Sequence, residues 1–334
     1  MNVRDKFKRP IKDLRISVID KCNFRCPYCM PKEIFGERYQ FLKNNELLSF
    51  EEIYEITKIF AKIGVEKLRI TGGEPLLRKD LNLLIKDLKS IDNIKEIALT
   101  TNGFLLKKHA QSLKESGLDR LTVSLDSLNS DSYKKLNGQN LDLNKTLESI
   151  EFANHMGFEN IKINTVVMKG INEDQIIKLA EFGRKNNLII RYIEYMDVGN
   201  INGWKPEDVV SAKEIIKIIE KKYKLSPLES NYYGEVASRY GFEDGVGEIG
   251  IISSVSKPFC ADCTRSRITA DGLMYTCLFT NKGHDLRTQI RKNSLEDLED
   301  YIKQIWINRS DQYSVLRSLG KLDSEKVEMF KIGG

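Results

Sequence analysis

Along the first two thirds of the chain, short β-branched and apolar runs alternate with longer stretches whose apolar residues recur every three to four positions. The runs Leu14 to Ile19, Val65 to Ile70, Ile94 to Thr100, Arg120 to Leu125, Ile161 to Met168 and Leu188 to Tyr195 each read as a strand. Between the first two, Ile53, Ile56, Ile59, Phe60 and Ile63 share one face of a helix that Ser49 caps and Gly64 ends. Further helices are predicted over Lys79 to Leu88, Leu105 to Ser116, Leu141 to His155 and Asn172 to Lys185. This alternation predicts an α/β fold with a parallel sheet and right-handed crossovers, either doubly wound or curled into a barrel. Function then belongs in the loops at the C-terminal ends of the strands. Beyond Asp197 the rhythm gives way to Gly-rich and polar stretches, with helices predicted over Ala212 to Lys222 and Ser294 to Trp306. The expected domains are therefore 1–197 and 198–334. Within the second, the stretch Gly234 to Gly250 carries no role that its residues reveal.

Composition adds limits. At 334 residues, with 41% hydrophobic and 30% charged, the chain has the make-up of a globular enzyme. No apolar run is long enough for a membrane span, and the basic stretch around Lys6, Lys8 and Arg9 reads as solvated, with no signal core. A cytoplasmic location is expected. The net charge of +5 fits an anionic small molecule without requiring nucleic acid, and neither nucleic acid nor a membrane is an expected partner. His109, His155 and His284 follow no ligand spacing and read as structural or surface residues.

The six cysteines change the picture most. They form two triplets, Cys22, Cys26 and Cys29, then Cys260, Cys263 and Cys277, with none left over. Reduced thiols in this arrangement favour two metal sites over three disulfides. The first triplet packs three thiols into eight residues just after a strand. It can hold three irons of a 4Fe-4S cubane and leave the fourth open, whereas structural zinc sites close four ligands around one ion. A zinc site completed by a distant ligand is the alternative. Thr71-Gly72-Gly73-Glu74-Pro75, after the second strand, is by itself only a tight turn. Beside an open cluster, its glycines would let backbone groups approach a small ligand, and Glu74 would add an acceptor.

The cysteine spacing followed by Gly72-Gly73-Glu74-Pro75 resembles the radical S-adenosylmethionine (SAM) superfamily. The resemblance implies that the open iron holds SAM and that a 5′-deoxyadenosyl radical abstracts hydrogen from a substrate. The second triplet, in Cys260-Ala261-Asp262-Cys263-Thr264-Arg265-Ser266-Arg267 and Tyr275-Thr276-Cys277, again supplies three thiols. Arg265 and Arg267 would share one face of an extended segment, where two guanidinium forks suit a polyphosphate. The plainer reading pairs them with Asp262 and Asp271 or with solvent.

Together with the closing Gly333-Gly334, these motifs resemble the GTP 3′,8-cyclase family of molybdenum cofactor biosynthesis, from Leu14 to Gly334. The resemblance implies a partial (βα)6 TIM-like barrel with a C-terminal auxiliary-cluster domain, two 4Fe-4S clusters, SAM, and GTP converted to 3′,8-cyclo-7,8-dihydro-GTP after loss of the ribose C3′ hydrogen. It places Tyr28, Gly73, Ser124 and Met196 on SAM. It places Arg15, Arg69, Thr100, Lys162, Arg265, Ser266 and Arg267 on GTP, with Arg265 and Arg267 also stabilising charge during reaction. Taken singly, Ser124 and Thr100 would be turn formers, Met196 core filling and Lys162 a solvated residue. The glycine tail would reach into the site, although Met329-Phe330-Lys331-Ile332 is less apolar than such a lead-in should be. Implied partners are a reductase or a flavodoxin- or ferredoxin-type electron donor, a second copy in a homodimer, and handover to a cyclic pyranopterin monophosphate synthase. The rival functions are a radical SAM peptide maturase with an auxiliary cluster and a non-catalytic, zinc-stabilised nucleotide-binding module.

Overall fold

The computed structural model describes residues 3–257, 259–318 and 326–333. Its first two thirds are strands and helices in alternation: β1 (Asp13–Ser17), α1 (Phe50–Ile63), β2 (Lys67–Thr71), α2 (Leu81–Lys89), β3 (Glu96–Thr101), α3 (Leu106–Glu115), β4 (Arg120–Ser124), α4 (Ser130–Asn137), α5 (Leu143–His155), β5 (Lys162–Val167), α6 (Ile176–Asn186), β6 (Ile189–Glu194) and α7 (Ala212–Glu220). Local chemistry sets the limits of α1. The Ser49 hydroxyl accepts from Glu52 N at 3.2 Å, the Glu52 carboxylate returns to Ser49 N at 2.8 Å, and Gly64 leaves the helix at φ 124°.

Strands β1 to β6 pair in parallel and in chain order. A sheet that always winds in one direction keeps its crossover helices on one face and curls, which decides for a partial barrel over a doubly wound sheet. The remaining strands are β7 (Leu225–Leu228), β8 (Ser238–Phe242), β9 (Glu248–Ile252), β10 (Arg265–Ile268), β11 (Leu273–Tyr275) and β12 (His284–Asp285). They extend both edges of the same sheet: β10 joins β1 in parallel, β9 joins β6 in parallel, and the outer strands add antiparallel. Among the described residues the edge strands β12 and β7 do not pair, and the sheet is open. Helices α8 (Leu286–Lys292), α9 (Leu295–Ile307), α10 (Tyr313–Ser318) and α11 (Met329–Ile332) complete the described chain.

Three elements depart from the sequence expectation. Helix α4 went unread because it is mostly polar, with Tyr133 and Leu136 its only buried apolar residues. Part of the Gly234 to Gly250 stretch forms β8 and the start of β9, so it is sheet rather than irregular chain. The basic stretch near the start is only partly solvated. Lys6 and Lys8 are exposed, but Arg9 is 1% exposed and ion-paired to Asp5 at 2.6 Å.

Candidate active site

The first cysteine loop leaves the end of β1 and is held by backbone contacts that only glycine permits. Gly73 N donates to Ile19 O at 2.8 Å and Glu74 N to Lys21 O at 2.8 Å. A Cβ on Gly72 would stand 2.3 Å from Ile19 O, and one on Gly73 would stand 2.3 Å from Lys21 O. The tight turn and the close approach are thus the same feature. Glu74 is spent on structure rather than left open as an acceptor: it is wholly buried, and its oxygens accept from Leu76 N, Thr101 Oγ1 and Asn102 N at 2.8–3.0 Å. Burial still pushes its carboxyl up to about 7.

Arg25 staples the loop by donating to the carbonyls of Phe35, Cys22 and Phe24 at 2.6–2.7 Å. The end of α4 supports it from the other side. Arg25 N donates to Asn137 O at 2.7 Å, a Cβ on Gly138 would stand 2.1 Å from Arg25 O, and Phe24 packs edge-on against Tyr133 and Phe104. Burial, with Glu74 adding to it, pushes the Cys22 thiol up to about 12. Burial and neighbouring thiols raise Cys26 and Cys29 as well. Thiols held protonated by burial and by one another fit a multi-iron cluster, whose cationic irons reverse both effects. All six cysteines are free, and among the described residues no three ligand-type side chains already meet at one point. Tyr28 donates to Asp126 Oδ2 at 2.6 Å, and Asp126 Oδ1 accepts from Val166 N at 2.8 Å, which ties the loop to β5.

Facing the barrel interior is a cavity into which the second triplet opens. Cys260, Cys263 and Cys277 all line it, with Arg15, Arg69, Thr100, Met196, Arg265 and Arg267. Strand register builds its cationic wall, because Arg15 on β1 stands opposite Arg267 on β10 and Arg69 on β2. Leu14 and Ile16 lie in the main core on the other side of the strand. The arginines burden one another. Burial, then Arg267, Arg69 and Arg265, holds Arg15 well below its ordinary value, and burial with Arg265 brings Arg267 down to about 10. Such a wall fits a polyanion, whose charges would remove the repulsion.

Other expected residues lie differently. Ser266, between the two arginines, is fully buried and donates to Tyr275 O at 3.4 Å, so its side chain faces away from the cavity. Lys162 does not line the cavity but faces its charges, and burial with Arg191, Arg120 and Arg69 brings it down to about 7. Tyr28 lies in the first loop, Gly73 packs against its Lys21, and Ser124 ends β4. The tail lead-in docks firmly: Phe330 is 2% exposed and packs edge-on against Phe35, Ile332 is fully buried, and Gly333 O accepts from Arg267. Gly334 lies outside the described residues.

Several site residues escaped the sequence reading. Arg191 on β6 lines the cavity and donates to Asn164 Oδ1 at 3.0 Å; a lone arginine in a buried strand was the available signal. Tyr232, Gly234 and Glu235 bring the turn between β7 and β8 over the cavity, and Lys67 Nζ stands 3.2 Å from the centre of the Tyr232 ring. Arg309 donates to Cys263 Sγ at 3.2 Å. Burial alone would raise the Cys263 thiol, but Arg265 and Arg309 overcome it and bring it to about 6.

The family profile described as Radical SAM superfamily matches residues 16–183, and the one described as Molybdenum Cofactor Synthesis C matches residues 188–315. The protein named GTP 3′,8-cyclase in Staphylococcus epidermidis strain RP62A is 47% identical, over 99% of both chains. Its namesake in Staphylococcus aureus strain MRSA252 is 46% identical with the same coverage. Among solved structures, Streptococcus suis SuiB bound to S-adenosylmethionine matches with a TM-score of 0.65, covering 94% of this chain and 69% of that one. At 17% identity, that likeness shows the fold alone.

Proposed function

The chain belongs to the GTP 3′,8-cyclase family of radical SAM enzymes, and we propose on that footing that it converts GTP to 3′,8-cyclo-7,8-dihydro-GTP in molybdenum cofactor biosynthesis. Cys22, Cys26 and Cys29 hold one 4Fe-4S cluster, and Cys260, Cys263 and Cys277 hold the other. Bound at the first loop, the cluster and SAM supply hydrogen abstraction at ribose C3′ by a 5′-deoxyadenosyl radical. The chain's own residues bind, orient and shield. Tyr28, Gly73, Ser124 and Met196 contact SAM, while Arg15, Arg69, Thr100, Arg265 and Arg267 hold the nucleotide and Lys162, set back from the cavity wall, directs its charge towards the phosphates.

The observation that carries this reading is the row Arg267–Arg15–Arg69 across three adjacent strands, in a cavity that also takes in the second triplet. A triphosphate meets guanidinium forks there with little reorganisation, which fixes the ribose relative to the first loop. Phe259, Leu278, Phe279 and Ile252 give the wall apolar surface that keeps water from the reacting carbon. Arg265 and Arg267 also offset negative charge as the cyclised nucleotide is reduced. Arg265→Ala and Arg267→Ala should each lower GTP-dependent turnover by about 10²-fold at unchanged iron content. Unchanged turnover would remove these residues from the site.

Electrons come from a flavodoxin- or ferredoxin-type protein or a reductase, the assembly is a homodimer, and the product passes to a cyclic pyranopterin monophosphate synthase. The working location we propose is the cytoplasm; among the described residues no helix is long and apolar enough to cross a membrane.

A further inference from the structure

Behind the second cysteine loop lies a buried polar cluster that joins both ends of the chain. Asp5 accepts from Arg9 Nε at 2.6 Å and from Arg309 Nη1 at 3.4 Å, and neither arginine is more than 4% exposed. Each arginine then reaches the loop. Arg9 Nη1 donates to Cys260 O at 2.7 Å, while Arg309 donates to Cys263 O at 2.8 Å and to the Cys263 thiol itself at 3.2 Å. Packing fixes this geometry, because the Arg309 guanidinium stacks on Trp306 at 4.5 Å and the indole donates to Arg9 O at 3.2 Å. One donor is left over: Arg9 Nη2 is buried without a partner, although Arg9 lines the cavity into which the triplet opens. A buried unused N–H is costly unless something absent from the protein accepts it, and a cluster sulfide or ligand thiolate beside Cys260 is such an acceptor.

Resting on the two-cluster reading above, the geometry points to Arg309, supported by Arg9, as the positioning residue that sets the reduction potential of the second cluster. Reduction adds one negative charge to a cluster already carrying three thiolates. N–H donors on the sulfurs and nearby cations favour the reduced form. Arg309 also bonds two carboxylates, Asp5 at 3.4 Å and Asp311, which accepts from Arg309 Nε at 3.2 Å. Removing Arg309 therefore deletes one of the two guanidinium donors to the Cys263 sulfur, the other being Arg265 at 3.3 Å, and leaves Asp5 and Asp311 without the cation that bonds both of them. Both effects lower the potential. Among the described residues no equivalent cluster lies behind the first loop, where Arg25 spends its bonds on backbone carbonyls.

The test is an anaerobic redox titration of the reconstituted full chain, followed by electron paramagnetic resonance without GTP, with added SAM marking the signal of the first cluster. Wild type should carry about eight irons per chain. Fewer in the wild type would contradict the two-cluster reading itself rather than this inference. Arg309→Gln at wild-type iron content should move the second cluster's midpoint to lower potential and leave the first unmoved. An unmoved second midpoint, or an equal shift of both, overturns the proposal. If Arg309→Gln loses iron, Arg309→Lys decides. Recovery of full iron by the retained charge supports the proposal, and continued loss shows that Arg309 only holds the loop in shape.

Discussion

Gly333 and Arg267, 66 residues apart in the chain, are joined by a hydrogen bond from the guanidinium to the glycine carbonyl. The C-terminal segment therefore ends on the residue that also stands in the cationic row with Arg15. Gly333 has a left-handed φ of 66°, and a Cβ there would lie 2.2 Å from Thr71 Cγ2. Side chains other than glycine pay about 1 kcal/mol or more for that conformation alone. Gly333→Ala should cut GTP-dependent turnover by at least about tenfold, equivalent to 1.4 kcal/mol, with iron content unchanged. Thr71→Ser in the same chain removes the clashing methyl and should recover part of the loss. Wild-type turnover in Gly333→Ala would show that the tail contact does not matter.

The arginine row trades stability for affinity. With burial and three like-charged neighbours lowering Arg15, the nucleotide-free protein bears a repulsion that GTP relieves. Arg15→Met should raise the melting temperature of the nucleotide-free protein and weaken GTP binding by about tenfold or more. Calorimetry of the two forms checks both halves. A lower melting temperature together with unchanged affinity would contradict the role given to the row.

How much of this was legible beforehand follows from how local each signal is. Ser49, Gly64 and the β-branched runs act within a few residues, so β1 to β6 and the helices between them other than α4 were readable within a few positions. The cysteine triplets were readable for the same reason. The row Arg267–Arg15–Arg69 was not, because it depends on the register of strands from distant parts of the chain. Arg9 was misread because basic composition near a chain end signals solvation, and only Asp5, Trp306 and the Cys260 loop, brought together in space, bury it. Helix α4 was missed because Tyr133 and Leu136 are its only buried apolar residues and give no stripe; its contribution is support, its end carrying Asn137 and Gly138 against Arg25.

That support can be tested. Gly138→Ala would place a methyl 2.1 Å from the backbone carbonyl oxygen of Arg25, at a φ of 64°. The first loop should be displaced and reconstituted iron should fall from about eight towards about four per chain, the second cluster remaining. Full iron content in this variant would show that α4 does not hold the loop.

Lys162 gives a pH dependence. Burial, then Arg191, brings it from 10.5 to about 7. Between those values the unfolded chain binds a proton that the folded chain lacks, so this group makes the nucleotide-free protein more stable as pH rises from about 7 towards 10. GTP has the opposite preference, since a phosphate favours the charged ammonium. Binding at pH 8 should therefore take up close to one proton and weaken as pH rises. Titration calorimetry in buffers of different ionisation enthalpy measures the uptake, which Lys162→Gln should abolish. An uptake that survives the substitution assigns it elsewhere.

The most direct measurement is anaerobic incubation of the iron-loaded chain with SAM and a strong reductant, with and without GTP, scoring 5′-deoxyadenosine and the cyclised nucleotide. A brown protein with about eight irons, releasing 5′-deoxyadenosine in a GTP-dependent way together with 3′,8-cyclo-7,8-dihydro-GTP, is the expected result. Zinc in place of iron, or 5′-deoxyadenosine release no greater with GTP than without it, would contradict the account.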